Sequence, residues 1–222
     1  MCSITAILSA QSSADDLRAA ALSISKRQRH RGPDWSGVFQ HERAILAHER
    51  LAIVDVSSGA QPLIDKETGT ALAVNGEIYN HKKLRAETSA YPYQTGSDCE
   101  VILALYREHG AALAHHLEGM FAFVLYDVQQ DKWLIGRDPI GIIPLYYGHT
   151  AEGELMVASE MKGLEPLCED VSEFPPGHIW GSGDSAPQRY YTEDWMDWET
   201  APKRAYRKEE LGQRWSSPLN PT

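Results

Sequence analysis

The chain has 222 residues, 42% of them hydrophobic, which is enough to build one large domain or two small ones around a buried core. A formal net charge of -10 with no basic stripe excludes a nucleic-acid backbone as partner and marks a soluble protein. The three cysteines, Cys2, Cys99 and Cys168, show no Cys-x-x-Cys spacing, which speaks against a disulfide framework or zinc ribbon. With neither a signal peptide nor a stretch approaching the ~18 apolar residues of a spanning helix, a cytoplasmic protein without a membrane partner is expected.

Residues 2–9 alternate polar and apolar, as a strand with one buried face does. Cys2 stands at its start. If Met1 is removed, which a small second residue permits, Cys2 carries both a thiol and a free α-amine. Their reference pKa values, ~8.5 and ~7.7–8.0, make the residue a nucleophile with its own base. Position alone favours the plainer reading, a small apolar residue at a frayed terminus. Ser13 followed by Asp16 forms a capping box, and Leu17, Ala21, Ile24 and Gln28 share one face of a helix over 14–28. The Gly- and Pro-containing segment 30–37 reads as a loop, either closing over a ligand or simply connecting helix to strand. Short apolar segments between Val38 and Val54 predict consecutive antiparallel strands. Arg50 falls between two of them, where it is either a bidentate fork for a carboxylate or a surface arginine.

Ala71–Val74 predicts a buried strand ending at Asn75-Gly76-Glu77, where the Asn75 amide and the Gly76 N–H can point at one developing oxyanion. A two-residue Asn-Gly hairpin fits poorly, because Ile78-Tyr79-Asn80 leads into a helical His81 to Glu87. Ser97 with Glu100 forms a second capping box, opening a helix whose apolar positions Val101, Ile102, Leu105 and Tyr106 lead to Gly110. Asp98, in its first turn, either stabilises the helix N-terminus or meets a substrate ammonium; Cys99 is expected buried and inert. A hairpin over Met120–Tyr126 and Lys132–Gly136 follows, then strands at 144–147 and 154–158, a short helix near 160–164 and a strand near 178–181. Adjacent His115-His116 without a His-x-x-x-His pair predicts no metal site. From Tyr190 on, Trp195, Trp198, Tyr206 and Trp215 are spread among charges, a weakly packed or docking tail.

Taken together, Cys2-Ser3-Ile4, RHRGPDWSG (29–37), HERLAIVD (48–55), GAQPL (59–63), LAVNGEIYNH (72–81), TGSDCEVILALY (95–106), GMFAFVLYD (119–127) and GRDPIGIIPLYYG (136–148) resemble the glutaminase domain of bacterial glutamine-dependent asparagine synthetases. The resemblance spans roughly 2–200. It implies a class II glutamine amidotransferase domain of α+β class, with the N-terminal-nucleophile hydrolase fold: a four-layer αββα sandwich with two antiparallel sheets. The expected domain is 2–189, with 190–222 an irregular tail.

By matching position, Cys2 corresponds to the family nucleophile and Asn75 with Gly76 to its oxyanion hole. Arg50 corresponds to the grip on the glutamine α-carboxylate, Asp98 and Glu77 to the α-amino site, and Ile53 and Val54 to backbone contacts with substrate. L-glutamine is the implied substrate, hydrolysed to glutamate and ammonia without a cofactor in this domain. ATP and Mg would belong to a synthetase domain whose Ser-Gly-Gly-x-Asp-Ser loop the sequence lacks. The chain is thus expected to be truncated and to release ammonia without making asparagine. Its expected partners are a separate synthetase domain or subunit and, among further options, a second copy in a homodimer. Two other readings stay open: an idle domain serving as an assembly module, and a hydrolase of another amide.

Overall fold

The computed structural model describes residues 1–52, 58–193, 196, 197 and 199. Contacts divide the chain into Met1–Tyr191 and Thr192–Thr222. In the first unit, β1 (Ser3–Leu8), β2 (Trp35–His41), β3 (Ala44–Arg50), β8 (Tyr146–His149), β9 (Leu155–Ala158) and β10 (Asp170–Glu173) form one sheet, ordered β10-β8-β9-β1-β3-β2. A second sheet, ordered β12-β11-β7-β6-β5-β4, contains β4 (Leu63–Ile64), β5 (Ala71–Ile78), β6 (Gly119–Asp127), β7 (Lys132–Arg137), β11 (His178–Gly181) and β12 (Gln188–Arg189). All pairings are antiparallel.

Strand alternation gives each sheet two apolar faces and so fixes the layers. Ile4, Ala6, Leu8, Leu46, Ala73 and Val124 meet between the sheets. Ile7, Ile45 and Met156 point outward, beneath Leu17, Ala21 and Ile24 of α1 (Ala14–Arg27) and Leu164 of α4 (Met161–Leu164). Leu72, Val74 and Phe123 likewise face Leu84 of α2 (His81–Glu87) and Val101 to Leu105 of α3 (Val101–His109). The result is the αββα sandwich that the resemblance implies. Ser13 caps α1 as read, its Oγ accepting from Asp16 N, while the Asp16 carboxylate accepts from Ser13 Oγ at 2.6 Å; Asp15 and Asp16 in the first turn and Lys26 and Arg27 in the last complement the helix dipole. No described helix is long and apolar enough to cross a membrane.

Four local expectations are corrected. β1 is buried on both faces, because its polar side chains lie under α1 rather than in water; Gln28 Nε2 donates to Thr5 Oγ1 at 2.9 Å. The 30–37 segment is a loop only in part. A 3-10 turn over Arg29–Arg31 gives way to β2 at Trp35, and β3 continues through His48-Glu49-Arg50 to pair with it. Glu49 can sit inside a sheet because Ser25 Oγ and Ser36 Oγ each donate to its carboxylate at 2.6 Å.

β5 does not end at Asn75-Gly76-Glu77 but runs through them, paired to Ala122, Phe121 and Met120 of β6. Gly76 is what permits this: its φ is 145°, and a Cβ there would collide with the Met120 carbonyl. Lastly, Ser97 Oγ accepts from Cys99 N at 3.3 Å, and Glu100 turns away to the N–H groups of Gln94 (2.7 Å) and Thr95 (2.8 Å). Asp98–Glu100 is thus a capped 3-10 turn ahead of α3 instead of a reciprocal capping box. Trp195, Trp198, Tyr206 and Trp215 lie outside the described residues.

Candidate active site

The layering brings one end of both inner faces together. Arg50 shares the inward parity of Leu46 on β3, and Asn75 that of Ala73 on β5; Cys2 lies just ahead of β1. Cys2, Arg50, Asn75, Gly76, Glu77 and Asp98 all line a single cavity of about 110 Å³. Residues separated by up to 96 positions in sequence thus converge, while Ile53 and Val54 lie outside the described residues.

Cys2 is held by three contacts at two of its atoms. Leu51 N–H donates to its Sγ at 3.4 Å, the thiol lies 3.6 Å from the Leu51 carbonyl, and Arg31 Nε donates to its carbonyl at 2.9 Å. Arg31 Nη1 is in turn fixed on Glu160 Oε1 at 3.1 Å. Burial pushes the Cys2 thiol above its ordinary value. The Leu51 N–H, the N-terminal ammonium of Met1, Arg50 and Arg31 each pull it back toward the thiolate. Met1 itself forms part of the cavity wall. The other two thiols differ: burial drives Cys99 well above the usual range, with Asp98 adding to the effect, and burial pushes Cys168 up to about 11.

Asn75 is only 2% exposed, and its Nδ2 has no hydrogen-bond partner among the described residues. A buried amide donor left unpaired is costly, and here it belongs to a residue on the cavity wall. Gly76 presents backbone to the same wall. Arg50 ends β3 and is 7% exposed, Glu77 is half-buried, and the buried Asp98 accepts from Ile78 N–H at 2.7 Å through Oδ2. A guanidinium-bearing residue and two carboxylate-bearing residues line the one cavity, the complement of the two charges of an α-amino acid.

Sequence reasoning did not single out Arg31, His48, Leu51 or Gln61. Arg31, His48 and Leu51 lie inside motifs quoted for the resemblance, as does Gln61 of GAQPL, so the signal was present at the level of the motif but not of the residue. Arg31 fastens Cys2, and Gln61 Oε1 accepts from Val74 N–H at 2.7 Å. His48 Nε2 lies 3.0 Å from the Val74 carbonyl.

Comparison with known proteins gives the family and the fold. A family profile described as "Glutamine amidotransferase domain" matches residues 1–174. Asparagine synthetase B [glutamine-hydrolyzing] of Escherichia coli is 53% identical over 96% of this chain, and a probable asparagine synthetase [glutamine-hydrolyzing] of Schizosaccharomyces pombe is 49% identical over 89%. The chain spans only 39% and 36% of those two relatives. Among solved structures, a glutamine phosphoribosylpyrophosphate amidotransferase from B. subtilis superposes with a TM-score of 0.70 at 20% identity, covering 86% of this chain and 50% of that one. At that identity the likeness is one of fold.

Proposed function

Because the chain belongs to the glutamine amidotransferase domain family, we propose that it hydrolyses the side-chain amide of L-glutamine through a thioester on Cys2. The observation that carries this reading is the buried, unpartnered Asn75 Nδ2 on the wall that Cys2 also lines. A donor with no partner at rest is what a developing oxyanion requires.

Removal of Met1 frees the α-amine of Cys2, which accepts the thiol proton directly or through water. Sγ then attacks the side-chain amide carbon of glutamine, and the electron pair moves onto oxygen, held by Asn75 Nδ2–H and the Gly76 N–H. The ammonium returns its proton to the leaving nitrogen as the C–N bond breaks, releasing ammonia and leaving the thioester. Water, activated by the same amine, adds to the thioester carbon; glutamate departs and the thiol reforms. Arg50 grips the α-carboxylate, Asp98 and Glu77 hold the α-ammonium, and Ile53 and Val54 supply backbone contacts. By extension from the names of the relatives, the ammonia serves glutamine-dependent asparagine synthesis in an assembly that supplies the remaining chemistry.

Purified chain lacking Met1 is expected to convert glutamine to glutamate and ammonia without ATP, and added hydroxylamine to divert part of the product to γ-glutamyl hydroxamate. Absence of glutamate release would overturn the reading.

A further inference from the structure

β5 carries a strand on each side only at its start. β4 pairs with Leu72 and Ala71 alone, so from Val74 onward one edge of β5 has no strand opposite among the described residues. The alternation of an antiparallel strand turns the N–H and C=O of Val74, Gly76 and Ile78 to that edge, where buried backbone groups need other partners. Side chains take the place of the missing strand. Gln61 Oε1 accepts from Val74 N–H at 2.7 Å and His48 Nε2 meets the Val74 carbonyl at 3.0 Å. Farther along, Cys99 Sγ lies 3.8 Å from the Gly76 carbonyl and Asp98 Oδ2 accepts from Ile78 N–H.

The Val74 carbonyl belongs to the peptide that joins it to Asn75, so whatever fixes that peptide fixes the backbone from which the Asn75 side chain projects. His48 comes from the other sheet, two residues before Arg50 on β3. Its Nε2 bond to the Val74 carbonyl therefore ties the strand of the guanidinium to the strand of the Asn75 amide.

The chemistry of the ring is settled by its partner. A carbonyl only accepts, so Nε2 carries the proton and Nδ1 is bare, and Nδ1 has no partner among the described residues. Complete burial holds the imidazole neutral, pushing it down to about 4, with Arg50 acting in the same direction and the Val74 bond and Glu49 against it. His48 is absent from the cavity wall and committed to a carbonyl, so it is no general base.

We propose that His48 and Gln61 are positioning residues that substitute for a strand at the free edge of β5 and thereby hold Asn75 at the oxyanion. The inference rests on the glutaminase reading above.

The test uses Met1-free chain, with active sites counted by stoichiometric alkylation with a diazoketone analogue of glutamine. His48→Phe keeps a ring but removes the donor, and His48→Gln restores an N–H. Gln61→Leu removes the acceptor, and Gln61→Glu keeps one. His48→Phe and Gln61→Leu are expected to lower kcat per titrated site by about tenfold to a hundredfold, the scale of a slightly misplaced catalytic group, with KM moving less than about threefold. His48→Gln is expected to recover most of the loss. Unchanged kcat, a loss confined to the count of titrated sites, a change in KM alone, or equal damage from Phe and Gln would each overturn the proposal.

If the unsubstituted chain shows no glutaminase activity, the glutaminase reading fails first. The strut is then judged by 15N-histidine NMR, which also serves if the variants do not fold. A neutral Nε2–H tautomer for His48 across about pH 5 to 8 is expected, and an Nδ1–H tautomer or an imidazolium in that range overturns the bond on which the proposal depends.

Discussion

Cys2 and Asn75 reach a single cavity from opposite sheets of the sandwich, the thiol from the start of β1 and the amide from the middle of β5. The amide donor has no partner among the described residues, so its loss removes no hydrogen bond made by Nδ2 there. Asn75→Ala is expected to lower kcat for glutamine by ~10²–10³, the usual cost of one oxyanion donor, while the thermal midpoint stays close to that of the parent. Steady-state kinetics and a thermal melt on the same preparation check both halves.

Arg50 makes a different prediction, because it grips a part of glutamine that does not change during the reaction. Arg50→Met is expected to raise KM by about tenfold or more with kcat changed less than about threefold, the signature of lost uniform binding. Arg50→Lys keeps the charge but not the fork, and its KM is expected to fall between those of the parent and Arg50→Met. A full glutamine titration of each variant distinguishes these outcomes.

Gly76 carries both backbone and site. A methyl group at Gly76 runs into the Met120 carbonyl on the paired strand and must also adopt a φ of 145°. Gly76→Ala is expected to cost roughly 1–3 kcal/mol or more of stability through overpacking and strain, along with activity. Denaturant unfolding at matched concentrations reads the stability change.

His48 gives the protein a pH-dependent liability. Its pKa is 6.5 in the unfolded chain and about 4 when folded, so between those values the unfolded state binds the extra proton. This buried imidazole therefore contributes no penalty at neutral pH. Its penalty grows as pH falls below 6.5 and is complete below about 4, where it amounts to about 3 kcal/mol. Carboxylates titrate in the parent and in His48→Gln alike, so the difference in unfolding free energy between the two isolates the imidazole. The parent is expected to lose more stability than His48→Gln on passing from pH 6.5 to 4.

The layers were legible because apolar periodicity tracks burial: Leu17, Ala21 and Ile24 marked α1, and the hairpin over β6 and β7 was read almost to its ends. What periodicity could not show was where polar residues are buried with partners. Thr5 looked like part of an exposed face of β1 but is buried and accepts from Gln28 at the end of α1, and His48-Glu49-Arg50 looked like a break between strands but is the end of β3. The strand end predicted at Asn75-Gly76-Glu77 fails because a glycine that lets backbone approach a ligand also lets a second strand approach, and β5 continues through it paired to β6. In the same way Cys2, Arg50, Asn75 and Asp98 were each ambiguous alone. Their convergence depends on which faces of two different sheets look at each other, and that is a property of tertiary packing. Arg31 and Gln61 escaped notice because each acts on the backbone of another residue, through bonds to Cys2 and Val74 that leave no spacing pattern behind.

The central claim is that Cys2, freed at its amine, attacks glutamine. The most direct measurement compares ATP-independent glutamate release by three preparations of verified intact mass: chain lacking Met1, chain retaining Met1, and Met1-free chain with Cys2→Ala. Turnover is expected from the first alone, since the second has its amine blocked and the third has no nucleophile. Glutamate release by the Cys2→Ala chain at the rate of the first preparation would contradict the account.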